Sequence, residues 1–246
     1  MDNHDSQQRY ARHLSLDKMG EAGQAKLAAS RVLVVGVGGL GCPLSLYLAA
    51  SGIGTIGLVD DDRVSLSNLN RQILFETADI GRKKVQAAAD RLSEMNDDVK
   101  IEVHDQKIDN NNAAALIRQY DVIVDGSDNI ETRLKVNVTC HALQKPLISA
   151  AIHGWEGQIY RFDTANGSAC YKCLYPTPPH ADEAPTCAES GVLSPLAGMI
   201  GSWQAAETIK HIVGIGETAT LSRINLQSNE VKKAIIRKDN ACIVCS

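Results

Sequence analysis

The sequence predicts an α/β protein with a doubly wound, mostly parallel Rossmann-like sheet that is followed by antiparallel strands towards the carboxyl terminus. Three observations support this fold class. Apolar, strand-like runs alternate with helix-like segments over roughly the first 150 residues, as in parallel sheets with helices on both faces. A glycine-rich turn directly follows the first of these runs. The last third of the chain instead contains strand-like runs of alternating polarity, which are typical of antiparallel pairs.

The first strand, turn and helix are the most specific part of this pattern. Residues 32–35 form the continuous apolar run expected of a strand that is buried on both faces. Gly36, Gly38 and Gly41 then match G-x-G-x-x-G, and the second strand ends in Asp60, where an acid can accept hydrogen bonds from ribose hydroxyls. This βαβ unit favours a nucleotide site. The alternative is a glycine turn that only packs.

The rest of the chain continues the alternation. We expect helices at residues 15–29, 83–94, 113–119, 131–143 and 194–213. We expect strands at residues 100–103, 122–125, 146–152, 157–163, 222–226 and 232–237. Residues 170–190 are rich in proline and are expected to form a loop.

Composition excludes several classes of partner. The formal net charge of −4 gives no electrostatic reason to expect a nucleic acid or an anionic membrane. Aromatic residues make up only 4% of the chain, so a base-stacking platform is not expected. The polar amino terminus lacks the apolar core of a signal peptide, and no later run approaches the roughly 18 apolar residues that span a bilayer. We therefore expect a cytoplasmic protein.

Four of the seven cysteines form two C-x-x-C pairs, which suit a tetrahedral zinc ion. The four expected ligands are Cys170, Cys173, Cys242 and Cys245. A closed site of this kind is structural and would hold the carboxyl-terminal segment against the middle of the chain. A redox C-x-x-C is the alternative, but neither pair opens a helix in a thioredoxin-like βαβ unit. Cys42 and Cys140 are expected to be packed in the core.

Polar side chains gather where two predicted strands end, which is where open α/β sheets bind their ligands. They are Asp60, Asp62, Asn68, Arg71 and Gln72 after the second strand, and Asp125, Ser127, Asp128 and Asn129 after the strand at 122–125. The first group offers an acid for ribose and a cation for phosphate, and the second offers carboxylates for Mg²⁺. Lys84 adds a charge that suits a triphosphate, unless it is merely a solvated surface lysine. These residues favour phosphoryl or nucleotidyl transfer over hydride transfer, for which no second acid–base site is evident.

Several long motifs occur in an order that resembles the MoeB/ThiF family, the bacterial relatives of ubiquitin-activating enzymes. The matching segments are RYARH, VLVVGVGGLG, LVDDDRVSLSNLNRQ, IGRKKV, VDGSDN, WEGQIYRFD, CYKCLYP, TCAESGVLSPLAG and CIVC. The resemblance covers essentially the whole chain and is strongest to the members that serve molybdopterin synthase. It implies ATP and Mg²⁺ as cofactors, a structural zinc ion and a homodimer. It also implies adenylation of the carboxyl-terminal Gly-Gly of a small β-grasp sulfur carrier for molybdopterin or thiamin synthesis.

The resemblance assigns roles to individual residues. Gly39 and Asp60 would contact the nucleotide, Asn68, Arg71 and Lys84 would hold the phosphates, and Asp128 would bind Mg²⁺. Arg12 would reach the ATP of the partner protomer. The full nucleotide set comprises Gly36, Gly38, Gly39, Gly41, Asp60, Asp62, Ser67, Asn68, Asn70, Arg71, Gln72, Lys84, Asp128 and Asn129. This chain has Asn70 where the family usually has glutamine, which puts the contact of that residue in question.

The expected reaction is attack of the carrier carboxylate on the α-phosphorus of ATP, which releases pyrophosphate and leaves an acyl-adenylate. Arg71, Lys84, Asp128 and Arg12 form the expected catalytic set. Cys187 lies in the loop at 170–190 and either takes part in sulfur handling or is a bystander. Because no fused rhodanese module is evident, a separate sulfur donor is expected.

Three other functions share parts of this pattern. The same site could adenylate a small-molecule or tRNA-linked carboxylate, although such relatives typically lack the zinc cysteines. An NAD-dependent oxidoreductase and a non-catalytic nucleotide-binding scaffold are the alternatives of another class. We expect one adenylation domain over residues 1–246, with a helical arm at 1–29, a nucleotide-binding α/β core at 30–153 and a zinc-bearing, carrier-binding part at 154–246.

Overall fold

The computed structural model describes residues 3–177 and 191–246, and one sheet of eight strands runs through it. The strands are β1 (Arg31–Val35), β2 (Thr55–Val59), β3 (Lys100–His104), β4 (Val122–Asp125), β5 (Leu147–His153), β6 (Glu156–Phe162), β7 (Thr220–Asn225) and β8 (Glu230–Ile235). Their spatial order is β3-β2-β1-β4-β5-β6-β7-β8. Strands β1 to β5 pair in parallel, and β6, β7 and β8 pair antiparallel. The predicted fold class is confirmed.

Nine helices are found in the described part of the chain. They are α1 (Asn3–Arg9), α2 (Ala11–Leu14), α3 (Gly20–Ala29), α4 (Gly41–Ala50), α5 (Lys84–Met95), α6 (Ala113–Ile117), α7 (Ile130–Ala142), α8 (Tyr171–Leu174) and α9 (Ser194–Val213). Three short 3-10 turns lie at Leu66–Asn68, Thr77–Asp79 and Thr164–Asn166. None of the described helices has the length and apolar character needed to cross a membrane.

Helices cover both faces of the sheet, and the alternation along β1 shows how. Val32 and Val34 point into a core that they share with apolar residues of α3, α4, α5 and α9. Leu33 and Val35 point the other way, towards apolar residues of α6, α7 and α8. All four side chains are buried, which explains why this strand reads as a continuous apolar run.

Two sequence predictions need correction. The helix expected at 15–29 begins only at Gly20, because Lys18 takes a left-handed backbone conformation with φ of 63° that interrupts the helix. The short helices α1 and α2 precede this break. The loop expected at 170–190 begins with a helical turn, α8. Residues 178–190 lie outside the described part of the chain.

Helix α9 packs closely against the start of α4. Pro195 stands in its first turn, and Gly214 ends it in a left-handed conformation with φ of 83°. A β-carbon at Gly201 would lie 2.4 Å from the carbonyl oxygen of Leu40. In contrast, a β-carbon at Gly198 on the same helix would meet nothing within 4 Å. Only the first of these glycines is therefore required by packing.

We expect Gly201→Ala to lower the free energy of unfolding by about 1–3 kcal/mol, because the added methyl group forces α9 away from α4. Gly198→Ala is the matched control and should raise stability by up to about 1 kcal/mol through helix propensity. Urea unfolding of the two variants tests this difference. Equal stabilities would show that α9 can shift without cost.

Candidate functional site

The candidate site lies at the carboxyl ends of β1, β2 and β4. Strands β2 and β4 flank β1 on opposite sides, so the connections after β1 and β4 diverge and leave a crevice between them. Val35 at the end of β1 is in register with Val59 and with Asp125. A β-carbon at Gly36 would lie 3.3 Å from the backbone of Gly126, so the two loops touch at the base of the crevice.

The glycine turn presents backbone amides to this crevice. Gly36 has φ of +85°, and a β-carbon at Gly41 would lie 2.0 Å from the Gly36 carbonyl oxygen, so both positions require glycine. Within the residues that the structure describes, the amides of Gly38, Gly39 and Leu40 have no hydrogen-bond acceptor. Because they precede the positive end of the α4 dipole, they can bind an anion such as a phosphate.

Asp60 ties the glycine turn to the loop after β2. Its Oδ2 accepts a hydrogen bond from the Val37 amide at 2.7 Å, and its Oδ1 accepts one from the Asp62 amide at 2.8 Å. Burial raises the pKa of Asp60, and the nearby ammonium of Lys84 opposes this shift. Each carboxylate oxygen can accept a further hydrogen bond, so this residue can both shape the turn and receive a ligand hydroxyl.

Arg71 lies along the same turn. A β-carbon at Gly39 would stand 3.5 Å from Cγ of Arg71. The Nη1 group of Arg71 donates to the Ser67 carbonyl oxygen at 2.9 Å and to Oδ1 of Asn70 at 3.0 Å. In this structure Ser67 and Asn70 therefore hold the guanidinium, and Asn70 has a contact despite its shorter side chain.

Asn68 and Gln72 differ in their contacts within this loop. Oδ1 of Asn68 accepts from the Ser65 amide at 3.2 Å and so closes the 3-10 turn that it ends. Gln72 is buried, and its Oε1 has no hydrogen-bond partner among the described residues. Its Nε2 lies 3.7 Å from the position of a β-carbon on Gly38. A ligand donor placed here would satisfy an acceptor that otherwise carries a desolvation cost.

Lys84 is a buried cation, so the interpretation as a solvated surface lysine is wrong. The residue is only 5% exposed. Its Nζ pairs with Oδ2 of Asp62 at 2.8 Å, whose side chain is 68% exposed. The carboxylates of Asp60, Asp61 and Asp62 approach within 4.8 Å of one another. The loop after β2 thus holds the Lys84 ammonium beside the glycine turn, and the Asp62 carboxylate that pairs with it is exposed to solvent.

Asp125 cannot serve as an open ligand for a metal ion, contrary to its place in the predicted carboxylate group. The residue is fully buried. Its Oδ1 accepts from the amide and the hydroxyl of Ser127, at 3.0 and 2.6 Å, and its Oδ2 accepts from the Ser149 hydroxyl at 2.8 Å. This carboxylate instead organises the loop that follows β4.

Asp128 and Asn129 complete that loop, and both are exposed. Oδ1 of Asn129 accepts from the Thr132 amide at 2.8 Å and caps the start of α7. Asp128 directly precedes this cap. Of the two aspartates after β4, only Asp128 has a carboxylate that can reach a ligand.

Sequence reasoning missed Arg133, which lies under this loop. The side chain is buried, with Nε 3.5 Å from Oδ2 of Asp125 and Nη2 donating to the carbonyl oxygens of Ser127 and Ala150 at 2.7 and 2.9 Å. The available signal was its position on α7, three and seven residues before the apolar Val136 and Cys140. An arginine on that buried face required an internal partner.

Arg12 lies apart from the other predicted residues. It is exposed on α2, which follows an anchor at Tyr10. The Tyr10 hydroxyl accepts a hydrogen bond from Nδ2 of Asn96 at 2.9 Å, and its ring fills the space beside Gly52. Gly52 follows the carboxyl end of α4, whereas the glycine turn precedes its amino end, about 15 Å away for a helix of this length. The arm therefore packs at the edge of the sheet opposite its own crevice.

The four predicted cysteine ligands converge. The sulfur atoms of Cys170 and Cys242 are 3.7 Å apart, those of Cys173 and Cys245 are 3.2 Å apart, and all four lie within 4.8 Å of one another. These separations exceed the roughly 2.05 Å of a disulfide. They approach the edge length of about 3.8 Å expected for a tetrahedron of sulfurs with metal–sulfur bonds of about 2.3 Å. The cluster therefore fits a tetrahedral metal ion.

Two further cysteines of the described residues, Cys42 and Cys140, are not part of this cluster. Cys42 and Cys140 are buried as predicted. Burial raises the pKa of Cys42 to about 12 and also raises that of Cys140, so neither thiol is a ready nucleophile. Cys187 lies outside the described residues.

Comparison with known proteins identifies relatives over nearly the whole chain. The sequence profile of the ThiF family matches residues 10–244. The chain is 42% identical over 248 residues to adenylyltransferase and sulfurtransferase MOCS3 of Anopheles gambiae, which covers 99% of this chain and 56% of that protein. It is 40% identical over 243 residues to the sulfur carrier protein adenylyltransferase of Thermus thermophilus, covering 96% of this chain and 90% of that protein.

Two further comparisons define the limits of this similarity. A MOCS3 protein of Zea mays is 48% identical over 209 residues, but the match covers only 43% of it. The chain thus spans about half the length of several curated relatives. Among solved structures, E. coli MccB with ATP superposes with a TM-score of 0.83 at 23% identity, over 97% of this chain and 74% of that one, which shows a shared fold.

We expect the purified protein to contain one tightly bound metal ion per chain, held by the four-cysteine cluster. Cys242→Ser should lose most of this metal and unfold at a lower temperature, because the segment at 239–245 loses its attachment to α8. Cys140→Ala, which removes a buried thiol elsewhere, should keep the metal. Elemental analysis with thermal unfolding measures both. Full metal content in Cys242→Ser would contradict the assignment.

Proposed function

Because the chain belongs to the ThiF family, we propose that it uses ATP to adenylate the carboxyl-terminal carboxylate of a small sulfur-carrier protein. The observation that carries this proposal is the arrangement around the glycine turn. Amides of Gly38, Gly39 and Leu40 that have no acceptor among the described residues adjoin the side chain of Arg71, and the buried ammonium of Lys84 lies near Asp60 beside the same turn. Such a concentration of donors and positive charge suits a triphosphate.

The names of the relatives support the choice of substrate. The Thermus thermophilus relative is a sulfur carrier protein adenylyltransferase, and the match covers nine-tenths of it. The MOCS3 relatives are named for two activities and are considerably longer than the matched region. We therefore propose only the adenylation step for the described residues, with residues 154–246 as the part that receives the carrier. A Gly-Gly terminus and a β-grasp fold remain predictions for that carrier.

The proposed reaction exchanges one P–O bond for another. An ionised carboxylate oxygen of the carrier attacks the α-phosphorus of ATP in line, and the bond to the pyrophosphate oxygen breaks. No protein nucleophile or proton transfer is required. The amides of the glycine turn, Arg71 and Lys84 stabilise charge on the phosphate oxygens, and Asp60 orients the ribose. Lys84 would exchange its exposed partner Asp62 for a phosphate.

Mg²⁺ fits the exposed carboxylate of Asp128, which lies at the edge of the crevice. An ion held there would supply positive charge that neutralises part of the phosphate charge. The Asp125 carboxylate is fully occupied by its own hydrogen bonds, so it supports the loop rather than the ion.

We assign zinc to the four-cysteine cluster, since four thiolates at these separations are the preferred ligands of a closed structural zinc site. Its role is to hold the segment at 239–245 against α8, far along the chain from it. The part that Cys187 plays in sulfur handling remains a prediction.

Asp128→Ala should lower carrier-dependent exchange of labelled pyrophosphate into ATP by roughly a hundredfold, because the charge-neutralising ion loses its ligand. Asp97→Ala is the control: this exposed aspartate forms a surface pair with Arg9, so exchange should be unchanged. Each Gly-Gly carrier of the same genome is tested in turn. ATP binding without exchange for every carrier would favour a non-catalytic scaffold, and NAD binding without ATP binding would favour an oxidoreductase.

We further propose that the protein is a homodimer in which Arg12 completes the partner's site, since the arm packs away from its own crevice. Mixing Arg12→Ala with Asp128→Ala subunits should then restore about a quarter of wild-type exchange, because half of the dimers are mixed and each mixed dimer has one intact site. Failure of any restoration after verified subunit exchange would place Arg12 at its own site or outside the chemistry.

A further inference from the structure

We propose that Arg133 is a positioning residue for adenylation: from within the core it fixes the loop of residues 125–129 and thereby the carboxylate of Asp128. This inference rests on the proposed function. The residue itself cannot contact a ligand in the crevice, because its side chain is buried beneath the loop. Its effect on the chemistry must pass through the residues that it holds.

The guanidinium contacts two backbone carbonyl oxygens and one side-chain carboxylate. Nη2 donates to the carbonyl oxygen of Ser127 in the loop and to that of Ala150 in β5, at 2.7 and 2.9 Å. Nε lies 3.5 Å from the carboxylate of Asp125 at the end of β4. One nitrogen of the planar guanidinium thus donates to both carbonyl oxygens while the delocalised charge lies beside the Asp125 carboxylate, an arrangement that a lysine ammonium cannot reproduce with the same geometry.

The charge balance of this pair is internal to the protein. Burial lowers the pKa of Arg133, but the adjacent Asp125 carboxylate, together with Tyr171 and Tyr160, more than offsets this, so the net pKa is raised. The ring of Tyr171 lies 5.8 Å from the guanidinium carbon and covers one side of it. Breaking a buried pair of this kind leaves an unpaired charge in the core, so the pair has one strongly preferred arrangement.

The same strand end is also fixed from the opposite face of the sheet. Gln204 of α9 is buried, and its Nε2 donates to the carbonyl oxygens of Asp125 and Ile148 at 2.8 and 3.1 Å. Gly126 then packs against Leu40 at the start of α4, where a β-carbon would lie 3.2 Å from Cβ of Leu40. The loop at 125–129 is thus held by Arg133 from one face of the sheet, by Gln204 from the other face, and by packing of Gly126 against Leu40.

Asp128 is the exposed acidic residue between two fixed points. On one side Ser127 is held through its carbonyl oxygen by Arg133 and through its amide and hydroxyl by Asp125. On the other side Asn129 caps α7 through the Thr132 amide. Because both neighbours are fixed, the backbone position of Asp128 follows from contacts made inside the core. A displacement of about 1 Å at a reacting group can cost roughly a hundredfold in rate.

The test is a double-mutant cycle with Arg133→Lys and Asp128→Asn, read by carrier-dependent pyrophosphate exchange. Arg133→Lys should lower kcat by roughly ten- to a hundredfold while changing KM for ATP by less than about threefold. In the Asp128→Asn background the same change should lower the residual kcat by less than about twofold, because the two residues act as one unit. An equal loss in both backgrounds would overturn the proposal.

Hydrogen exchange supplies a readout that does not depend on activity. Arg133→Lys should accelerate amide exchange in residues 126–129 and leave residues 36–41 unchanged, since only the first loop loses its contact. Unchanged exchange at 126–129 would show that Arg133 does not hold the loop. Arg118→Lys is the matched control, because it makes the same substitution at an exposed arginine between α6 and β4. It should alter neither amide hydrogen exchange nor the rate of pyrophosphate exchange.

Ser149→Ala covers the case in which Arg133→Lys does not fold. It removes the hydroxyl that donates to Oδ2 of Asp125 and leaves the arginine in place. We expect Ser149→Ala to accelerate amide hydrogen exchange in residues 126–129 and to lower kcat by less than Arg133→Lys does. The fall in kcat should again occur only in the background that retains Asp128. If the wild-type protein showed no pyrophosphate exchange with any carrier, the proposed function would be refuted. The amide hydrogen-exchange comparison would still decide whether Arg133 fixes the loop.

Discussion

The crevice depends on close contact between backbone segments at positions where a side chain would not fit. The Gly36 carbonyl oxygen occupies the place of a Gly41 side chain, Gly126 lies against Gly36, and Gly201 lets α9 approach Leu40. In a core packed at this density these contacts leave each segment little room to move. The directions of the amides at 38–40 are therefore set by packing before any ligand arrives. Preorganised donors of this kind need no rearrangement during a reaction.

Two kinds of contact by charged side chains surround this backbone framework. Lys84 pairs with an exposed carboxylate, and Arg71 is held by a carbonyl and an amide oxygen, so both cations can change partner at small cost. Asp125 and Arg133 are enclosed and cannot exchange with solvent or a ligand. The exchangeable contacts line the crevice, and the fixed pair lies under it. This division separates the groups that can meet a substrate from those that support them.

Much of this arrangement follows from local sequence patterns, and the rest depends on tertiary contacts. The run at 32–35 and the spacing of Gly36, Gly38 and Gly41 were sufficient to predict the sheet and the turn, because periodicity and glycine requirements are local. The paired cysteines likewise predicted the cluster. The burial of Lys84 and the internal use of Asp125 could not be predicted, since each depends on residues distant along the chain. The place of Arg133 on α7 indicated an internal partner, but the partner in β5 could not be identified from the sequence. The late start of α3 reflects the left-handed conformations of Lys18 and Gly20, and helix propensity does not predict that of Lys18.

The position of the amino-terminal arm has a genetic consequence. Tyr10 anchors the arm to the body at Gly52 and Asn96, away from the crevice of the same chain. Under the proposed arrangement, a defect in the arm spares the crevice of the chain that carries it and disables that of its partner. In a cell that makes both normal and arm-defective copies, every mixed assembly would contain one inactive site built from normal residues. With random pairing, about half of all sites would stay active, as they would if the defective copies failed to fold, but these sites would be distributed over about three quarters of the assemblies.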